Sequence, residues 1–143
     1  MKMNEYTMDQ MEVGMTESFT KEITLEMEDA FRQLSGDENP LHKDDEFARE
    51  AGDGKFKQHV SFGMLTSALY STMAGMYLPG KYSLIHSLDI KLKKPVFAGD
   101  RLTVTGVVDS INEELKLLGL KVKIVNQEGQ VVSKADMKVL VLK

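Results

Sequence analysis

The stretch LSGDENPLHKDDEF, Leu34 to Phe47, sets Asp37 and His42 on either side of an Asn39-Pro40 step. Free carboxyl and imidazole groups titrate near about 3.9 and 6.5, so at neutral pH a charged base and a neutral imidazole coexist without large shifts. Such a pair can take a proton from water and hand one on, which is what adding water to a double bond, or removing it, requires. The same residues also make an ordinary capped turn, with Asn39 as cap and Pro40 at a first helical position, and spacing alone leaves both readings open. Asp44, Asp45 and Glu46 follow His42 without a second histidine at ligand spacing, so they read as a solvated acidic helix start, and no metal site is expected.

The elements around this corner can be traced from periodicity. Phe19 and Ile23, with Val13, suggest a short first strand, and Thr24 can cap a helix with Met27, Ala30, Phe31 and Leu34 on one face, ended by Ser35 and Gly36. Gln58 to Gly80 contains no Asp, Glu, Lys or Arg. Its scattered polar residues and closing Pro79-Gly80 make it too weak to cross about 30 Å of hydrocarbon. A helix from Ser61 or Phe62 to about Tyr77, enclosed by protein on most sides, is the expectation. From Tyr82 the period changes: Leu84, His86, Leu88, Ile90 and Leu92 alternate with polar residues, which places His86 on an apolar strand face as a core or pocket-wall residue. Alternating runs recur at Leu102 to Val108, Leu118 to Ile124 and Val131 to Val141, the last two joined by a turn at Asn126 to Gly129.

The order strand, helix, corner, apolar helix, antiparallel strands is an α+β plan with a curved sheet around a central helix. Its open sheet edges predict pairing across a two-fold axis, hence a homodimer. The 143 residues fit one domain, with residues 1–12 as a short N-terminal arm that lacks the apolar run of a secretory signal. No cysteine is present, which excludes thiol chemistry and disulfides and points to the cytoplasm. The net charge of -4 is spread over mixed acids and lysines, so neither nucleic acid nor an anionic membrane is an expected partner.

Three blocks in this order, LSGDENPLH at Leu34 to His42, FGMLTSALYSTMAGMYLPG at Phe62 to Gly80 and SLDIKLKKPVFAGDRLTV at Ser87 to Val104, resemble the MaoC-like hydratases, and within them the R-specific enoyl-CoA hydratases. The resemblance covers Val13 to Val141. It implies a hot-dog fold, a dimer, no cofactor, and reversible hydration of trans-2-enoyl thioesters of coenzyme A or acyl-carrier protein to R-3-hydroxyacyl thioesters. Carried over by position, Asp37 and His42 match the catalytic pair and the Gly63 N–H matches the donor to the thioester oxygen. Asn39, Phe62 and Ser71 fall to the substrate pocket, Asn39 with Pro40 also fixing the corner. The family commonly has histidine or serine directly before this glycine, whereas this chain has Phe62.

Gly63 at the start of the uncharged helix makes physical sense, because first-turn amides without acceptors and the helix dipole both favour the enolate charge that develops on the thioester oxygen. Lys91, Lys93, Lys94 and Arg101, around the PVFAGD corner, could meet substrate phosphates; a solvated strand face is the plain alternative. Two other readings remain open: an acyl-thioester hydrolase on the same fold, against which the placement of the Asp37/His42 pair before the central helix speaks, and a non-catalytic acyl-thioester-binding module, which Phe62 keeps in play.

Overall fold

In the computed structural model, which describes residues 2–143, the chain runs β1 (Thr16–Glu22), α1 (Leu25–Ser35), a tight helical turn (Pro40–His42), α2 (Asp45–Ala51) and α3 (Gly63–Thr72), then a π-helical turn (Met73–Tyr77). Strands β2 (Ser83–Leu92), β3 (Arg101–Asn112), β4 (Leu117–Val125) and β5 (Val131–Val141) complete it. Met1 of the expected arm lies outside the described residues, and the remainder is docked: Glu5 bridges to Gly80, the Asn4 N–H donates to the Met76 carbonyl at 2.9 Å, and Met11 is buried. Among the described residues no helix is long and apolar enough to cross a membrane.

All neighbouring strands are antiparallel, in the order β1-β3-β4-β5-β2. Strands β3, β4 and β5 pair in sequence through short turns, while β1 and β2 form the edges. Alternation buries one face of the meander, and α3 with its π turn packs there: Tyr70, Met73 and Ala74 meet a core that includes Leu102, Val104, Leu120, Ile124, Met137 and Val139. Gly106 permits the approach, since a Cβ there would stand 2.8 Å from Met73 Sδ. Tyr70, fully buried, shares a 2.6 Å hydrogen bond with Ser133, whose hydroxyl lies 3.1 Å from the Lys91 carbonyl, so helix and sheet are also tied by polar contacts. The sheet wrapped on a central helix is the hot-dog arrangement.

Two expectations are corrected. Strand β2 carries a bulge between Ile85 and Ser87, and the extra residue reverses the phase, so Leu84 and His86 do not share the face of Leu88, Ile90 and Leu92, and His86 is exposed. On α1 the covered face is Met27, Glu28, Phe31 and Arg32, whereas Ala30 and Leu34 are exposed, Leu34 at 84%. Helix α3 is enclosed on most sides, and its one exposed stripe, at helical spacing, is Met64, Ala68 and Ser71.

Candidate active site

Helix α1 ends at Gly36, whose positive φ of 75° suits glycine and turns the chain into the corner. Asp37 is exposed there, its Oδ1 accepting the Asn39 N–H at 3.0 Å, and Asn39 Oδ1 in turn accepts the Leu41 N–H at 2.9 Å to start the Pro40–His42 turn. Both side chains therefore build the corner they occupy, and Asn39 serves as its cap.

His42 points inward from this turn. Its Nδ1 lies 2.8 Å from the Val60 carbonyl oxygen, which can only accept, so Nδ1 carries a proton and Nε2 is the nitrogen left for proton transfer. The ring packs on Phe62 with centroids 4.4 Å apart. Phe62, 2% exposed, also meets Phe31 at 4.9 Å and lies beneath the Arg32 guanidinium at 5.6 Å, while an Arg32 terminal nitrogen donates to the His42 carbonyl at 3.1 Å. Phe62, expected in the substrate pocket, thus forms a buried plate behind His42 and is absent from the cavity wall.

That cavity, about 340 Å³, is lined by His42 and by Gly63 at the first turn of α3, with Phe56, Val60, Leu92, Pro95, Val96 and Val132 as its apolar wall. Ser61 and Thr66 also line it, and both have buried hydroxyls with no hydrogen-bond partner among the described residues. Lys93 and Lys94, both exposed, reach the same cavity. Of the expected site residues, the chain brings together His42 and Gly63. Asp37 and Asn39 stand outside the lining, no hydrogen bond joins Asp37 to His42 among the described residues, and Ser71 sits on the bare stripe of α3. The PVFAGD corner is architectural on its acidic side: buried Asp100 accepts the Phe97 N–H and the Gln127 amide, each at 3.0 Å.

Sequence reasoning missed one cluster. Buried His59 lies with Nε2 2.8 Å from Glu28 Oε1 and Nδ1 2.6 Å from Asp45 Oδ1. Asp45, read as part of a solvated helix start, is a histidine partner, and the actual cap of α2 is Asp44. Burial is the strongest single influence on His59 and disfavours its charge, but hydrogen bonds and charge from Asp45 and Glu28 together outweigh it and raise its pKa above the ordinary imidazole range. Hydrogen bonds from the His59 backbone and ring hold the Asp45 carboxyl below the usual range. The available signal was a histidine inside an uncharged window together with a glutamate beside Met27 on the buried side of α1.

Comparison with known proteins adds three observations. The MaoC like domain family matches residues 9–130. The (R)-specific enoyl-CoA hydratase of Aeromonas caviae is 34% identical over 119 residues, 83% of this chain and 87% of that protein, and the 3-hydroxybutyryl-CoA dehydratase of Methylorubrum extorquens is 32% identical over 96 residues, 67% of this chain and 59% of that protein. The solved structure of R-hydratase PhaJ1 from Pseudomonas aeruginosa superposes with a TM-score of 0.89 at 26% identity, covering 99% of this chain and 88% of that one.

Proposed function

The chain belongs to the MaoC-like domain family, and from that premise we propose that it adds water to trans-2-enoyl thioesters to give R-3-hydroxyacyl thioesters, or runs the reverse dehydration. The observation that carries this reading is His42, whose Nδ1 is committed to the Val60 carbonyl so that Nε2 is free in a cavity it shares with Gly63. In the forward direction Nε2 takes a proton from water, and in this proposal Asp37, exposed outside the cavity lining, turns toward the substrate to accept the other water hydrogen and aim the oxygen at the β carbon. As that C–O bond forms, the electron pair of the double bond moves toward the thioester oxygen, which the Gly63 N–H receives. The imidazolium then gives its proton to the α carbon, which restores His42. Lys93 and Lys94 are placed to meet phosphates of a coenzyme A or carrier-protein arm.

A homodimer completes the proposal. The uncharged stripe Met64, Ala68, Ser71 and the edge strand β2, with Leu88 and Leu92 exposed by 42% and 57%, offer one unpaired edge and an apolar surface to a second copy. In that assembly Ser71 is buried against the partner. The cysteine-free composition suits a cytoplasmic enzyme.

The test is crotonyl-CoA hydration followed by loss of the conjugated enoyl absorbance, with Asp37→Asn and His42→Ala beside the wild type. The proposal expects wild-type turnover and a loss of about 10²-fold or more in each variant. Release of free thiol would reassign the protein as a hydrolase, and binding without either reaction would make it a non-catalytic acyl-thioester-binding module.

A further inference from the structure

The cluster of Glu28, His59 and Asp45 has no part in the reaction just described. None of its three residues lines the His42 cavity, which His59 meets only through its chain neighbour Val60, and His59 and Asp45 border a separate hollow of about 530 Å³ with Glu22 and Glu26. Its construction is nonetheless unusual. Glu28 is 1% exposed, its Oε1 engages the ring and its Oε2 has no partner among the described residues, an arrangement that costs free energy unless the remaining contact is strong.

We propose that His59 is a positioning residue for the hydration reaction, clamped by Glu28 and Asp45 so that the adjoining peptide holds the His42 imidazole in its Nδ1–H form. The proposal rests on the assignment of His42 as the proton-transfer group. Both ring nitrogens of His59 face carboxylate oxygens, and its backbone N–H donates to the same Asp45 Oδ1 at 2.8 Å, so ring and backbone are fixed by one contact on α1 and two on α2. The next residue does the holding: the Val60 N–H donates to the Leu41 carbonyl at 3.0 Å, and the Val60 carbonyl accepts His42 Nδ1–H at 2.8 Å. Residues 59–60 thus lie along residues 41–42 as a short ladder whose far end is anchored by His59. Arg32, one turn after Glu28, ties α1 to the His42 carbonyl from the other side.

The clamp depends on charge. An imidazolium donates from both nitrogens and serves both carboxylates; a neutral ring donates from one, leaving the buried Glu28 or Asp45 without its partner. The groups that face or act on it are Glu28 and the neighbouring Glu26 from α1, Asp45 from α2, Glu22 from β1, and Arg49 acting on Asp45. Acids predominate, consistent with a ring that stays charged above the ordinary imidazole range.

The experiment is nitrogen NMR of the imidazoles, of which there are three, in the wild type, His59→Gln, Glu28→Gln and the exposed-site control His86→Gln, with kcat and KM for crotonyl-CoA measured from about pH 6 to 9. The expectation is that His42 shows the Nδ1–H tautomer in wild type and control and a mixture in His59→Gln and Glu28→Gln. There kcat falls about 10- to 100-fold while KM changes less than about twofold, and the alkaline decline of wild-type kcat through the His59 titration disappears. Either clamp variant, folded, with His42 still in one tautomer and kcat within about twofold of wild type overturns the proposal; Glu28→Gln supplies the answer should His59→Gln not fold. The tautomer is read without substrate. A shifted tautomer in a protein that does not hydrate crotonyl-CoA therefore upholds the clamp and removes the reaction, whereas an unshifted one removes the clamp alone.

Discussion

Gly63→Ala separates the two reasons a glycine can stand at the head of α3. The added Cβ would lie 2.5 Å from Leu92 Cδ1 but 3.7 Å from Leu92 Cγ and Cδ2, so one terminal methyl has to move. Leu92 also lines the cavity, so that methyl can turn into open space there. Forcing a side chain off its rotamer costs about 0.5–1.5 kcal/mol, and alanine recovers about 0.5–1 kcal/mol over glycine in a helix, so the two effects cancel to within about 1 kcal/mol. For a chain of this size that keeps Tm within about 4 °C of wild type. Activity should respond quite differently. The methyl occupies the cavity beside the N–H assigned to the developing enolate, and losing such a donor costs about 2.7–4 kcal/mol, or 10²- to 10³-fold in kcat. Thermal unfolding and crotonyl-CoA hydration on the same preparation decide the matter. A fall in Tm beyond about 10 °C would mean that packing alone demands the glycine, and kcat within about threefold of wild type at unchanged Tm would remove Gly63 from the oxyanion role.

Three further outcomes are expected. Tyr70→Phe removes one buried hydrogen bond to Ser133, which keeps the Lys91 carbonyl, and should lower stability by about 0.5–1.5 kcal/mol in denaturant unfolding with little change in cavity shape. Leu88→Lys on the exposed edge of β2 should convert a dimer to monomer in sedimentation while leaving the monomer's circular dichroism intact; a monomeric wild type would refute the assembly. Because the pKa of folded His59 is raised, the stability it contributes is full below about pH 6.5 and is lost as pH rises through the folded value, so the Tm gap between wild type and Glu28→Gln should narrow from about pH 6.5 to 9.

The parts of the fold that follow from local rules were legible in sequence. Thr24 caps α1 through its side chain, accepting the Met27 N–H, and the alternation of Leu118 to Ile124 and Val131 to Val141 marks β4 and β5 as adjacent core strands. What escaped depends on partners distant in the chain. The β2 bulge inverts an alternation that reads without interruption, because one extra residue leaves no compositional trace. Leu34 and Ala30 satisfy a helical stripe, yet α1 turns its Met27, Glu28 and Phe31 side inward, since Phe62 and His59 lie there and reward an aromatic face and a carboxylate. Of the site, His42 and Gly63 were readable because the motif fixes both their types and their order; the Glu28 to His59 contact spans separate elements and has no local pattern.

Phe62 shows why that contact belongs to the same argument as the site. A histidine or serine before Gly63, as the family resemblance leads one to expect, could offer a polar atom; phenylalanine offers only a ring face. With centroids 4.4 Å apart and the rings inclined by 31°, that face limits the movement of the His42 imidazole but cannot select which nitrogen carries the proton. Selection falls to the Val60 carbonyl, the one acceptor bonded to the ring among the described residues, and a carbonyl selects only as well as its peptide is held. The peptide is held by His59, which supplies the polar anchoring that residue 62 does not, three positions earlier in the chain and on the other side of the backbone ladder. Substituting Phe62 with histidine should therefore weaken the dependence of His42 on the clamp: in His59→Gln carrying Phe62→His, kcat should recover at least about threefold over His59→Gln alone, and no recovery in a folded double variant would separate the two features.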